Sequence, residues 1–211
     1  MHNLKNGFTL AEVLITLLII GVIASIVIPG LIQDTQNAEF KTAYKKGYAD
    51  INQATMRLIS DNAGSLKSIC NSGDNDCLKN QFKPYLNYVK DCNGSVSADN
   101  CWYAANKWKY LNGTPDANTG YPSLVLNNGT MLTFEYPDAT CNSAIGTSGY
   151  TYCGIIYMDI NGFKGPATIG KDIYRVWLLE KIIKPTGIQG DVPSLDCSVD
   201  GRGCAALYLY Q

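Results

Sequence analysis

Residues 8–28, FTLAEVLITLLIIGVIASIVI, form an apolar run that carries one charge, Glu12, near its start. Twenty-one helical residues extend roughly 32 Å, enough to cross a hydrocarbon core of about 30 Å. The polar stretch MHNLKNG precedes the run. Beyond Pro29-Gly30 the pattern changes. Phe40, Tyr44, Tyr48, Ile51, Thr55 and Leu58 recur every three or four residues, with Glu39, Lys41, Lys45, Lys46, Asp50 and Arg57 between them. This is the period of a half-buried helix. Asp61-Asn62-Ala63-Gly64 ends it, with Gly64 suited to the left-handed residue after a helix. The pattern predicts one long helix over about residues 8–62. Pro29 is expected to interrupt and kink it, because proline removes a helical hydrogen bond.

The rest of the chain reads as strand and loop. Asp74 or Asp76 can cap a short helix over about 77–90, made irregular by Pro84. Residues 93–120 are rich in Asn, Gly, Ser and Asp, with Trp102, Tyr103, Trp108 and Tyr110 embedded. They predict an ordered loop whose aromatics pack as a satellite core; binding of sugars or partners is the alternative. Ser123–Leu126 and Met131–Phe134 flank Asn127-Asn128-Gly129-Thr130, a hairpin signal because the turn needs positive φ. Further strands are predicted over 154–160, over 173–179 with Val176 and Trp177 in the core, and over 205–210. The fold class is α+β: a long N-terminal helix packed on an antiparallel β-sheet.

Composition narrows the chemistry. Charges nearly cancel, with 17 basic and 18 acidic side chains, and no basic patch suggests a nucleic-acid partner. The single histidine is His2. If the first seven residues are removed, Ser-His-Asp, Cys-His and His-metal systems are all excluded. No acidic pair has a spacing that nominates a glycosidase, and there is no nucleotide-binding loop. Eight cysteines, Cys70, Cys77, Cys92, Cys101, Cys141, Cys153, Cys197 and Cys204, lie beyond the apolar run, with no C-x-x-C among them. An even count in that position predicts disulfides in an oxidising compartment. The 105 possible pairings stay open; the expectation is local pairing, Cys70–Cys77, Cys92–Cys101, Cys141–Cys153 and Cys197–Cys204.

Three readings of the apolar run compete. It can be a plain single-pass anchor, or a secretory signal cut near Val22-Ile23-Ala24, although such signals are shorter and lack an acid. The third rests on resemblance. Gly7-Phe8-Thr9-Leu10-Ala11-Glu12-Val13 resembles the processing site of type IV pilins and of the related pseudopilins of type II secretion. The resemblance covers about residues 1–60. It implies cleavage after Gly7 by a prepilin peptidase, N-methylation of Phe8 and an assembly role for Glu12, with Gly21 and Pro29 as helix-softening positions. An acid mid-membrane costs about 2.5–3.5 kcal/mol, less near the edge. An amine freed at Phe8 of a neighbouring copy can offset that cost.

The resemblance also implies an organisation. Residues 1–7 are a leader, 8–30 a transmembrane and filament-core helix, and 31–211 a globular domain that includes the half-helix 31–62. The implied protein is not an enzyme. It is a structural subunit of a pilus or pseudopilus whose partners are copies of itself or related pilins, the peptidase/N-methyltransferase, the inner-membrane assembly platform and, before assembly, membrane lipid. It would sit as a single-pass inner-membrane protein with its globular domain periplasmic or extracellular, then in the filament. The rival is a membrane-anchored surface adhesin that does not polymerise. Two further likenesses bear on sites. Asp159-Ile160-Asn161-Gly162, running on to Gly165-Pro166 and Gly170-Lys171-Asp172, resembles a pilin-like loop in which Asp159, Asn161 and Asp172 would offer oxygens to calcium. The alternative is an Asx-turn. Cys197–Cys204 resembles the disulfide-bounded C-terminal loop of type IV pilins, which faces the filament exterior.

Overall fold

The computed structural model describes residues 8–93, 101–117, 121–191 and 197–210. These residues fall into two compact units, Met1–Glu39 and Phe40–Gln211. Helix α1, Leu10–Asp61, has residues in both. Its helical assignment continues through Pro29, so the expected interruption is absent. Proline there forfeits only its own bond to the carbonyl one turn back, and the rest of a 52-residue ladder remains. The helix stops where Ala63 and Gly64 take positive φ of 53° and 82°, and Gly64 N–H returns to Ile59 O at 2.9 Å.

Among the described residues of the second unit, eight strands follow two short helical pieces. Helix α2, Asn75–Phe82, is capped by Asp74, whose carboxylate accepts from Cys77 N–H at 2.9 Å. Pro84 sits in a 3-10 turn, Lys83–Tyr85, so the expected helix over 77–90 ends early. Residues 88–92 instead form strand β1. Strands β2 (Ser123–Leu126) and β3 (Met131–Glu135) are the expected hairpin, turning at Gly129 with φ 87°. Strands β4 (Ser143–Ala144) and β5 (Thr151–Tyr152) make a small separate ribbon. Strands β6 (Gly154–Asp159), β7 (Ile173–Leu178) and β8 (Ile183–Pro185) complete the main sheet, ordered β1-β2-β3-β6-β7-β8 and antiparallel throughout. The expected terminal strand over 205–210 is instead helix α3, Cys204–Tyr210.

Alternation along the strands divides the side chains between two layers. Leu132, Phe134, Ile156, Met158, Tyr174, Val176 and Leu178 share a core with Tyr44, Ile51, Ala54 and Leu58 of α1. Tyr44 stacks on Tyr174 with centroids 4.1 Å apart. Gly47 lets the helix come close, since a Cβ there would lie 2.4 Å from Met158 Sδ. Met131, Ile155, Tyr157, Ile173 and Trp177 point the other way and meet Trp102, Tyr103 and Trp108. The aromatic stretch is therefore a second core layer. Trp108 meets Trp102 and Tyr157 edge-on at 5.8 and 5.7 Å. Covered on both faces, β3, β6 and β7 are buried along their whole length.

Four disulfides staple this unit: Cys70–Cys77, Cys92–Cys101, Cys141–Cys153 and Cys197–Cys204. All four join cysteines adjacent in sequence. Each closes a loop of 7 to 12 residues, stabilising the fold by about 2–3 kcal/mol in the chain-entropy account.

Candidate functional site: the N-terminal helix

The start of α1 is built by a reciprocal pair of hydrogen bonds. Thr9 is the capping residue and Glu12 lies three positions on. Thr9 N–H and Thr9 Oγ1 both donate to Glu12 Oε2 at 2.8 Å. Glu12 N–H donates back to Thr9 Oγ1 at 3.3 Å. This is a capping box, which satisfies two of the amides a helix start leaves without partners. A carboxylate in the first turn also faces the positive end of the helix dipole. The T-x-x-E spacing was there to be read, and it gives Glu12 a role within a single chain that the sequence reading did not assign. Phe8, just outside the helix, is 89% exposed; Gly7 and the six residues before it lie outside the described residues.

From Leu10 to Ile32 the helix presents Leu14, Leu17, Leu18, Ile20, Ile26 and other large apolar side chains without cover in the single chain. Its polar side chains are turned inward on the helix itself. Thr16 Oγ1 donates to Val13 O, Ser25 Oγ to Val22 O and Thr35 Oγ1 to Leu31 O, at 2.7 to 2.9 Å. The segment can thus enter hydrocarbon without orphaning a hydroxyl. By length and composition α1 is apolar enough to cross a membrane. Gly21 has open space around it: a Cβ there would meet nothing within 4 Å. Pro29 lies inside the helix.

The Asp159 loop does different work. Asp159 Oδ1 accepts from Asn161 N–H at 3.0 Å and Gly162 N–H at 2.8 Å, and its Oδ2 accepts from Tyr103 O–H at 2.7 Å. Asp172 accepts from Ala167 N–H at 2.8 Å and Thr168 N–H at 2.7 Å. Asn161 Nδ2 donates to Gly165 O at 2.6 Å. Asp159 thus makes an Asx-turn, and Asp172 reaches back to the amides four and five residues before it. Burial, and then the nearby Asp172 carboxylate, push Asp159 up to about 8 against these bonds. Among the described residues no three His, Cys, Asp or Glu side chains gather to hold a metal ion. The Asp159 and Asp172 bonds tie the loop between β6 and β7, while Asn161 Oδ1 is buried there without a hydrogen-bond partner.

At the C-terminus, the Cys197–Cys204 bridge encloses Asp200 and Arg202, which pair at 2.5 Å. Ala206 N–H then ties α3 to Thr186 O at 2.9 Å.

Several buried ionisable side chains have no counterpart in the sequence reading, three of them Glu135, Arg175 and Lys79. Glu135, 1% exposed, and Arg175, 9% exposed, lie on the aromatic side of the sheet. Lys79 of α2 is wholly buried. No motif marks any of them, because their burial depends on strands and loops distant in sequence.

Residues 2–28 match the family model described as the prokaryotic N-terminal methylation motif. No curated protein and no solved structure matches the chain. A capped helix start at Thr9–Glu12, an apolar surface without cover and this match fall on the same residues: the chain carries the N-terminal signature of type IV pilins and pseudopilins.

Proposed function

We propose that this chain is a structural subunit of a type IV pilus or of a type II secretion pseudopilus. It is cut between Gly7 and Phe8, methylated at the Phe8 amine and polymerised through α1. The observation that carries this reading is the apolar surface of residues 10–32, self-satisfied in its polar groups and headed by the methylation motif. Residues 8–30 sit as a single span in the inner membrane before assembly, with the globular domain on the periplasmic or outer side. The partners are the peptidase/N-methyltransferase, the assembly platform and further copies of this or a related subunit. The disulfides suit that oxidising side. Glu12 then meets the Phe8 amine of a neighbouring copy; the capping box uses Oε2 and does not require Oε1. This reading does not require calcium at the Asp159 loop.

The test is to shear filaments from cells producing the chain and sequence the subunit N-terminus by mass spectrometry. A subunit beginning at methylated Phe8 is expected. One beginning at Ser25, or a full-length chain that never polymerises, overturns the proposal. Glu12→Leu should leave the subunit in the membrane and reduce filaments at least tenfold; assembly at the wild-type level removes Glu12 from the mechanism.

A further inference from the structure

Lys79 is the unexplained group of the globular unit. Its side chain has no exposure, which lysine almost never shows unless it is paired. Its ammonium lies 2.5 Å from Asp91 Oδ1, 3.2 Å from the Cys92 carbonyl and 3.6 Å from Asp76 Oδ1. It also meets Asn93 Oδ1. An amine, a carboxamide and a carboxylate are thus held together at one point, between α2 and the end of β1. The Cys70–Cys77 and Cys92–Cys101 bridges pin the chain on both sides of it.

We propose that Lys79 and Asn93 are joined by an intramolecular amide bond that the protein forms itself. Asp91 serves as the proton carrier. Burial acts to raise the Asp91 carboxyl, but hydrogen bonds from Lys79 and Lys83 outweigh it and hold it below the usual carboxylate range. It is therefore ionised at neutral pH, a weak base that accepts the Lys79 proton only as Nζ adds to the carboxamide. Nζ adds to Asn93 Cγ as one of its protons passes to Asp91; the bond from Cγ to Nδ2 then breaks as Asp91 returns that proton to Nδ2, and the departing ammonia takes the second Nζ proton to leave as ammonium. Overall, a lysine ammonium and an asparagine carboxamide give a secondary amide and an ammonium ion. Nothing is oxidised or reduced, and no co-reactant is needed. Asn93 stands at an exposed position, so the ammonia has a way out to water. Holding the two groups in contact supplies the rate: well-oriented intramolecular reactions reach effective concentrations of about 10⁵ M or more.

The bond would be the middle one of three successive covalent ties, Cys70–Cys77, Lys79–Asn93 and Cys92–Cys101. It would lock α2 onto β1, an edge strand that is exposed over most of its length.

The experiment is an intact mass of the purified chain after reduction and alkylation, followed by a tryptic digest of the denatured protein. The expected mass is about 17 Da below that calculated for the processed, alkylated chain, the loss of one ammonia. Trypsin should not cut after Lys79, and a branched peptide should join the Lys79 and Asn93 segments. Asp91→Asn should restore the full mass and the cut while circular dichroism stays unchanged. Full mass with cleavage after Lys79 in the wild type overturns the proposal. So does a 17 Da loss with no branched peptide: Asn93 precedes Gly94, and a succinimide there loses the same ammonia. A bond that persists in Asp91→Asn overturns the role of Asp91.

Discussion

Replacing Glu135 with glutamine should abolish most of a pH dependence that the wild-type fold carries. Glu135 ends β3 on the aromatic side of the sheet and is 1% exposed, and its Oε2 has no hydrogen-bond partner. Arg175 acts on it electrostatically, and the Arg175 Nε is itself buried without a hydrogen-bond partner. Its Nη1 donates to Tyr157 O–H at 3.4 Å, and the group lies over the Trp177 ring at 4.9 Å. Burial therefore dominates. It raises the Glu135 carboxyl from 4.5 to about 8, with Arg175 opposing and Asp116 assisting. The folded protein holds a proton that the unfolded chain releases above pH 4.5. Stability from this group is complete below that pH and is lost as pH rises towards 8. Each pH unit in the window withdraws up to about 1.4 kcal/mol, or roughly 4 kcal/mol between pH 5 and 8. Asp159 contributes with the same sign, but equally in both proteins. Guanidinium unfolding of the chain in detergent at pH 5, 6, 7 and 8 measures the difference. The glutamine variant should match the wild type within about 1 kcal/mol at pH 5 and exceed it by several at pH 8. Parallel curves would mean that Glu135 is ionised in the fold and that Arg175 neutralises it.

The other predictions follow from particular contacts. Gly47→Val places atoms where Met158 Sδ now sits, so stability should fall by about 1–3 kcal/mol, and Met158→Ala should recover part of the loss in a double-mutant cycle. Calcium at millimolar concentration should leave the melting temperature unmoved, while Asp159→Ala lowers it by several degrees; a calcium-dependent rise would show that the loop oxygens coordinate the ion. Thr9→Val removes one half of the capping box, which is worth about 1 kcal/mol, so proteolysis and hydrogen exchange should quicken in the first turn of α1 and nowhere else. Gly21→Leu should cut filament yield without shifting the melting temperature, because nothing in the single chain lies within 4 Å of that position.

What was legible in the sequence was what local periodicity controls. The spacing of Tyr44, Ile51 and Leu58 announces a helix with one buried face, and that face is the one on the sheet. Asn128-Gly129 sets its hairpin through backbone conformation alone. The tail misled for the same reason. Ala205 to Tyr210 alternates Leu and Tyr like a strand, yet Ala-Ala-Leu favours a helix, and Cys204, Ala205 and Ala206 are buried together. Strand β1 was hidden because the helical reading ran past Pro84. Strand β8 has three residues, too few for a period. The methylation motif could be read because its residues are contiguous. The Asp159 loop could not be decided, since an Asx-turn and a cation site use the same oxygens. Lys79 and Glu135 were invisible, because α2, β1 and the aromatic layer must all be in place before either is buried.

The apolar half of α1 also constrains how any assembly through it must work. In water, burying each exposed leucine or isoleucine is favourable by roughly 1.5–3 kcal/mol, so the segment is unstable there without cover. Lipid already provides that cover, and lipid tails are as apolar as leucine. Moving the helix from lipid into a bundle of copies gains little from the hydrophobic effect itself. Packing and polar contacts must supply the preference. Along residues 10–32, Thr16 and Ser25 are bonded back to their own helix, which takes them out of competition. Glu12 is the one charged side chain, and Gly21 is a position where another backbone can approach closely. On the proposed reading, these two positions fix the register of neighbouring copies, and the leucines and isoleucines only fill volume. Leu→Ile exchanges along the segment should then leave filaments largely intact, whereas moving the acid from position 12 to 13, with its composition unchanged, should not.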